Sequence, residues 1–477
     1  MSVTRKIARN TIVQMGAKVI STILGLITIG LLTRYLGQEG FGHYSTIMGF
    51  LQFFGIMVDF GLTLTTAQMM SDPRYQEEKV FANILSLRVI SATLFLGLAP
   101  LVSLLFPYEP FVKSGIAFMT LSFFFISLVQ VFLGFYQKHL QLKYVAAAEI
   151  GGRIFLFAAV LVALWLDYGL FGMLAAIMLS NAVQVIMLWL PAKKFTPIKF
   201  EIDRAMYKAI FVTTWPIALS IGLSLIYVKS DIIILSLYRP AWEVGLYGAA
   251  YKVLDVLMVF PFLFAGMLLP LMTTFWKLND ISAFKRLFQQ GFDTMILTAI
   301  PLVVGTYFVG HDVMALVAGE EFRAAGTLLQ LLILGLFFIF FQAMFSHAIV
   351  AIDKQKSTIF AYAITAAIGL SGYFILIPSM GALGAAITTV VTEGIVACLV
   401  VFMTIKFTGL RPNMTRLKAA LLSSAGMTAL LWLTTDWHVL LRVIIAVVAY
   451  GALLFLTKGI SKTFLLDIMT LRKNRLA

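Results

Sequence analysis

Residues 325–351 read AGTLLQLLILGLFFIFFQAMFSHAIVA, a run without one Asp, Glu, Lys or Arg. A helix needs roughly 20 apolar residues to cross the hydrocarbon of a bilayer. This stretch is therefore predicted to span a membrane, and its flanks decide what the rest of the chain must be. Working outward from it, thirteen further stretches read the same way, at 11–33, 41–69, 80–105, 112–136, 142–165, 168–190, 209–236, 243–274, 290–311, 357–377, 380–404, 418–435 and 438–457. The expected fold class is all-α and integral to the membrane, with fourteen transmembrane helices. The longest connection runs from Pro191 to Lys208, so no separate soluble domain is expected.

Composition agrees with a lipid solvent. Of 477 residues 61% are hydrophobic and 12% charged, against roughly 25% charged in a soluble domain. The first apolar stretch has no small-residue cleavage site after it and is read as a retained span, not a signal peptide. Cys398 is the only cysteine, which excludes an internal disulfide and a Cys-based metal cage.

Basic residues flanking spans set orientation. With the N-terminus placed inside, the cytoplasmic segments hold 26 of the 36 Lys and Arg, among them Arg5, Lys138, Lys193, Lys285, Lys354 and Arg472. The outer loops hold four, Arg34, Lys113, Arg239 and Arg323. Both termini are thus expected in the cytoplasm. The net charge of +14 is accounted for by one basic membrane face. Anionic lipid headgroups attract such a face by about 1 kcal/mol per residue. The basic segments are short and scattered, so no nucleic-acid partner is expected.

The largest cytoplasmic loop divides the first twelve spans into two sets of six. Internal similarity follows that division. Gly42 and Tyr44 match Gly245 and Tyr247, Gly169-Leu170-Phe171-Gly172 matches Gly381-Ala382-Leu383-Gly384, and Lys138 matches Lys354. An even number of spans per copy gives both halves one orientation, related by an axis along the membrane normal. The expected organisation is an N-terminal six-helix lobe at 1–191, a cytoplasmic linker at 192–208 and a second six-helix lobe at 209–406. Two final helices and a basic tail follow at 407–477.

Thr33-Arg34-Tyr35-Leu36-Gly37 followed by Glu39-Gly40-Phe41-Gly42-His43-Tyr44 resembles the signature of bacterial oligosaccharide flippases. Lys229-Ser230-Asp231-Ile232, Val244-Gly245-Leu246-Tyr247 and Ala250-Tyr251-Lys252-Val253 resemble the second-half signature of the same family. The resemblance implies a Wzx-type polysaccharide transporter of the multidrug/oligosaccharidyl-lipid/polysaccharide superfamily. Such proteins move undecaprenyl-diphosphate-linked oligosaccharide repeat units from the inner to the outer leaflet of the bacterial plasma membrane by alternating access, for surface polysaccharides such as O-antigen. The implied fold has two pseudo-symmetric six-helix lobes around a central cavity, with two C-terminal helices outside. A polysaccharide polymerase and other assembly proteins are the implied partners, beside the lipid-linked oligosaccharide itself.

An ionisable group in mid-membrane is costly unless paired or wetted, so each is a functional candidate. Lys18, Arg88, Lys229 and Lys252 are the candidates for binding the diphosphate and sugars, because cations hold such anions by charge-assisted hydrogen bonds. The bland alternative is that they snorkel to an interface or bind a neighbouring helix. Glu149 and Arg153, four apart on one helix, are read as a structural ion pair. Asp59 and Asp255 are coupling-ion candidates for H⁺ or Na⁺; Asp59 also reads as a helix cap, and Asp255 stands at pairing distance from Lys252. Arg442, one turn into the last span, is expected to reach the outer interface. Pro216, Pro261, Pro270 and Pro301 break the second half more than Pro100 breaks the first, which favours bending there.

No Gly-x-x-x-x-Gly-Lys-Ser/Thr phosphate loop, His-Glu-x-x-His or Gly-x-Ser-x-Gly occurs, so no cofactor, metal site or enzyme activity is expected. Three rivals stand beside this flippase, one of them a lipid II flippase that only substrate chemistry separates from it. A cation-coupled multidrug exporter of the same superfamily would call for unpaired acids in its cavity. A membrane-embedded glycan polymerase or ligase would call for a large outer loop, which this chain lacks.

Overall fold

The computed structural model describes residues 3–59, 61–72, 74–457 and 459–460. Lys458 and most of the expected basic tail, including Lys462, Arg472, Lys473 and Arg475, lie outside the described residues. The described residues form helices α1 (Val3–Asp59), α2 (Leu62–Met70), α3 (Glu77–Ser103), α4 (Pro110–Lys138), α5 (Leu142–Trp165), α6 (Gly169–Ala192) and α7 (Arg204–Tyr238). There follow α8 (Ala241–Lys277), α9 (Ile281–Ala318), α10 (Ala325–Ala351), α11 (Thr358–Met380), α12 (Ala382–Thr408), α13 (Thr415–Leu433) and α14 (Val439–Leu456). No strand occurs among the described residues. A lipid solvent supplies no hydrogen-bond partners, so a chain this apolar must satisfy its backbone inside helices. Eleven helices among the described residues are long and apolar enough to cross a membrane. The protein is a multi-pass membrane protein.

Helices α5 and α10 begin and end where the apolar runs do. Two departures have physical causes. The loop expected between 33 and 41 is absent: α1 runs through it with a single break at Gly37 (φ 64°, ψ −176°), and the next break falls at Gly61 (φ 76°). Both are left-handed conformations that a glycine adopts without cost, so one residue replaces a loop. Helix α9 extends well before the apolar run expected at 290–311. Phe284, Leu287, Phe288 and Phe292 are buried there while Lys285 and Arg286 between them are exposed. That is helical spacing, which a search for uninterrupted apolarity passes over.

The chain falls into two compact units, residues 1–245 and 246–475. In the first unit α1 packs on α3, α4, α5 and α7, and the pairs α3–α4, α4–α6 and α5–α6 complete it. Phe81, Phe132, Phe135 and Tyr136 form an aromatic core whose Tyr136 hydroxyl donates to the carbonyl of Leu188 at 2.6 Å. In the second unit α10 and α11 flank α12, α9 packs on α10, and α13–α14 lies against α9. Outward faces are greasy: Leu94, Leu98, Leu101 and Leu105 stand exposed along α3 and the turn after it. Such a stripe is at home in acyl chains and not in water.

The internal similarity has structural counterparts. Gly169 and Gly381, at the starts of α6 and α12, have φ of 60° and 59°. The turns after Lys138 and before Lys354 each place a non-glycine residue in the left-handed region, Leu140 (φ 54°) and Asp353 (φ 59°). The matched glycines of the first motif do more. Within residues 1–245, a Cβ on Gly42 would lie 1.7 Å from the carbonyl oxygen of Ala241, and one on Gly245 would lie 2.0 Å from that of Gln38. The two segments cross backbone to backbone, and a side chain at either glycine would strike the opposing main chain.

Candidate functional site

Helix α1 packs on α5, and this contact decides the fate of three charges. Lys18 Nζ donates to Glu149 Oε1 at 3.2 Å. The expected Glu149–Arg153 pair is therefore corrected: Glu149 is taken by an ammonium from the neighbouring helix, not by the guanidinium one turn along its own. Arg153 reaches instead towards α1 at Gly25, where a Cβ would stand 3.6 Å from its Nη1. It makes no ion pair or hydrogen bond with any described residue. Gly152, next to it, leaves room for the Gln184 side chain of α6, and its carbonyl accepts from the Ser180 hydroxyl at 2.8 Å. The backbone that carries Arg153 is thus held between α1 and α6.

Arg88 and Asp59, expected to bind substrate and a coupling ion respectively, are brought together. Arg88 Nη2 donates to Asp59 Oδ1 at 2.7 Å, and the Arg88 side chain is fully buried. Its Nη1 donates to the carbonyl of Val58 at 3.3 Å and to Gln130 Oε1 at 3.4 Å, while the Thr63 hydroxyl donates to the same Asp59 oxygen. A guanidinium enclosed this way holds the end of α1 to α3 and α4 and presents no face to a ligand. The bland alternative, a bond to a neighbouring helix, is what this geometry describes. Asp59 is likewise engaged.

Lys229 sits half-buried on α7, two residues from the buried Asp231, whose Oδ1 accepts from the Ile232 amide at 2.7 Å. Neither is without a partner. On α8 in the second unit, Lys252 Nζ stands 3.7 Å from Asp255 Oδ2, a looser contact at one helical turn. Arg442 meets an acid as well. It is buried, with Nη1 bonded to Asp312 Oδ2 at 2.5 Å and Nη2 to the carbonyl of Phe308 at 3.3 Å. Asp312 also receives Arg323 Nη1 at 2.7 Å. Asp312 escaped the sequence reading because it falls just past the apolar run of its span. The signal was a lone arginine in a helix as apolar as α14, which has to find a carboxylate.

The second unit also contains an apolar cavity of about 470 Å³ among α8, α9, α10, α13 and α14. Leu257, Pro301, Leu302, Met427 and Val447 are among its walls, and Tyr450 turns its hydroxyl away to the carbonyl of Leu297 at 2.8 Å. Its chemistry suits a hydrocarbon chain. No group of three or more His, Cys, Asp or Glu able to hold a metal occurs among the described residues.

Comparison with known proteins now bears on this arrangement. A family model described as "Polysaccharide biosynthesis protein" matches residues 7–276. The "Probable flippase AglR" of Haloferax volcanii is 23% identical over 234 residues, 47% of this chain and 49% of that protein. The "Capsular polysaccharide biosynthesis protein CapF" of Staphylococcus aureus is 25% identical over 189 residues, 40% of this chain and 48% of that protein. The chain spans about half the length of the curated relatives it matches. Among solved structures, the lipid II flippase MurJ in an inward closed conformation superposes with a TM-score of 0.75 at 17% identity, covering 93% of this chain and 98% of that one. An inward-facing multidrug resistance MATE-family transporter of the MOP superfamily gives 0.69 at 14% identity, covering 84% and 98%. These likenesses establish a shared fold. With more than half of its length matched by the family model, the chain belongs to the polysaccharide biosynthesis protein family of multi-pass membrane proteins.

Proposed function

We propose that this protein is a flippase that carries a lipid-diphosphate-linked oligosaccharide from the inner to the outer leaflet of a bacterial plasma membrane by alternating access. Its N- and C-termini lie in the cytoplasm, as the basic flanks of its spans call for. Family membership supports a saccharide cargo. The observation that carries the diphosphate is Arg153, a guanidinium on a membrane helix with no acidic partner among the described residues. A planar guanidinium binds two phosphate oxygens at once, and in a weakly hydrated site that contact is strong. Lys18, whose charge is shared with Glu149, and Lys229 supply further cations in the first unit for acidic sugars or phosphate, and Lys252 is a separate candidate in the second. A polymerase is then the natural consumer of the flipped repeat unit.

In the first unit, a drug exporter for amphipathic cations would want free acids where this protein has engaged ones: Asp59 is bound by Arg88 and Glu149 by Lys18. The test is transport by the full-length protein in sealed proteoliposomes loaded with an undecaprenyl-diphosphate oligosaccharide bearing a fluorophore on the sugar. Its arrival in the opposite leaflet is read with a membrane-impermeant quencher. The wild type should move it. Arg153→Ala should slow movement about tenfold or more, since a hydrogen bond to a charged group contributes about 1.5–3 kcal/mol. Movement no faster than in empty vesicles would overturn the proposal.

A further inference from the structure

Helix α12 lies between α10 and α11, and neither neighbour contains a single Asp, Glu, Lys or Arg. Yet α12 carries Glu393 in its middle, 7% exposed. Among the described residues the side chain has no basic partner: the only cation on its own helix, Lys406, is more than three turns away. Its partner is Gln342 of α10, itself 8% exposed, whose Nε2 donates to Glu393 Oε2 at 3.3 Å. Gln342 Oε1, on the other arm of the amide, is buried without a partner. Four titratable groups near the carboxyl among the described residues are uncharged in their ordinary forms. Tyr362 faces it from α11, and Tyr373 of α11 and Tyr247 of α8 share the Thr389 hydroxyl one turn away on α12. His347 of α10 is tied to the carbonyl of Ala343 at 2.8 Å.

A buried carboxylate with no counter-charge costs several kcal/mol. A proton relieves that cost, and the glutamine is suited to both forms. Its amide N–H donates to the carboxylate, and after a half-turn of the amide its carbonyl accepts the O–H of the acid. The small set of oxygens here, one carboxyl and one amide, serves a proton better than Na⁺, which wants a fuller cage. We propose that Glu393, held by Gln342, is a proton-binding site of the second unit that is loaded from water and discharged once per transport cycle, coupling translocation to proton movement. The step balances as one proton passing from hydronium to a Glu393 oxygen, with no redox change, and leaving to water on discharge. The inference rests on the transporter reading above, and it replaces Asp59, which is committed to Arg88, as the acid to test.

Two measurements keep the inference and that reading separate. The first needs no transport: infrared difference spectra of the purified full-length protein across pH should show a carboxylic-acid C=O band that E393Q removes and Q342L displaces along the pH axis. A spectrum without a band that E393Q abolishes would overturn the proton site even if flipping were robust. The second uses the proteoliposomes above with an imposed pH gradient, in sodium-free buffer. Wild-type flipping should accelerate with the gradient, and E393Q should lose that acceleration. Acceleration by a Na⁺ gradient alone, or an unchanged proton response in E393Q that reaches the membrane folded, would overturn the coupling. A band that behaves as expected in a protein that flips nothing would instead sink the functional reading and leave the proton site standing.

Discussion

Arg88 of α3 and Asp59 at the end of α1 meet at 2.7 Å, with the guanidinium wholly withdrawn from its surroundings' solvent. The pair joins two helices whose separate charges would each be intolerable alone. Breaking a buried pair by removing one partner costs about 3–5 kcal/mol, because the other charge stays behind. Arg88→Ala and Asp59→Ala should each lower the thermal unfolding midpoint in detergent sharply. The double variant Arg88→Met/Asp59→Leu should recover most of the loss. A double variant worse than both singles would show that the charges act separately.

Gly42 and Gly245 should be intolerant of a single methyl. A Cβ at either would stand 2.0 Å or less from a carbonyl oxygen of the opposing backbone, which cannot turn aside as a side chain can. Gly42→Ala should therefore fail to accumulate as folded protein in the membrane. Gly97→Ala on α3 is the control: nothing lies within 4 Å of its Cβ, and alanine there should be neutral or stabilise by about 0.5–1 kcal/mol. Fluorescence-detected size-exclusion profiles compare the two.

The α1–α5 contact predicts an order of severity in transport. Arg153→Ala should impair flipping more than Lys18→Ala, because Lys18 is engaged with Glu149 and Arg153 is not. Arg153→Lys should recover only part, since an ammonium lacks the planar fork that grips two phosphate oxygens. Equal flipping rates in Arg153→Ala and wild type would remove the guanidinium from the site.

Arg442 ties α14 to α9 through Asp312, and Asp312 is shared with Arg323. Arg442→Ala leaves that tie open. The turn at 434–438 between α13 and α14 should then become several times more sensitive to limited proteolysis, while flipping of the intact fraction changes less. Asp312→Asn should produce the same proteolytic pattern.

Acid should loosen the start of α7. Asp203 caps that helix by accepting from the Ala205 and Met206 amides and bonds to Lys79, and these contacts, the Lys79 bond foremost, hold its carboxyl below the usual carboxylate range. A depressed folded-state value means the contribution is present above the ordinary value, near pH 4. It is lost as pH falls through the lowered one. Asp203→Ala should flatten this acid-side loss in a pH series of unfolding midpoints.

Residues 142–165 and 325–351 show what local sequence determines. An apolar run of the right length must become a helix because lipid offers its backbone no other partner. The glycine motifs were legible for the same kind of reason: Gly42 and Gly245 sit where the backbone crosses closely, and Gly169 and Gly381 where it turns left-handed, which glycine adopts most readily. Of the charges, the Lys252–Asp255 contact along α8 was legible and the contacts between helices were not. Glu149 stands one turn from Arg153, yet an electrostatic partner is chosen by distance in space, and packing of α1 on α5 put Lys18 closer. Arg88 found Asp59 across 29 positions, and Glu393 was left with an amide because both flanking helices carry no charge. Sequence decides that a charge in lipid must be answered; which neighbour answers it is set by helix packing, because an ion pair acts over a few ångströms and disregards order along the chain.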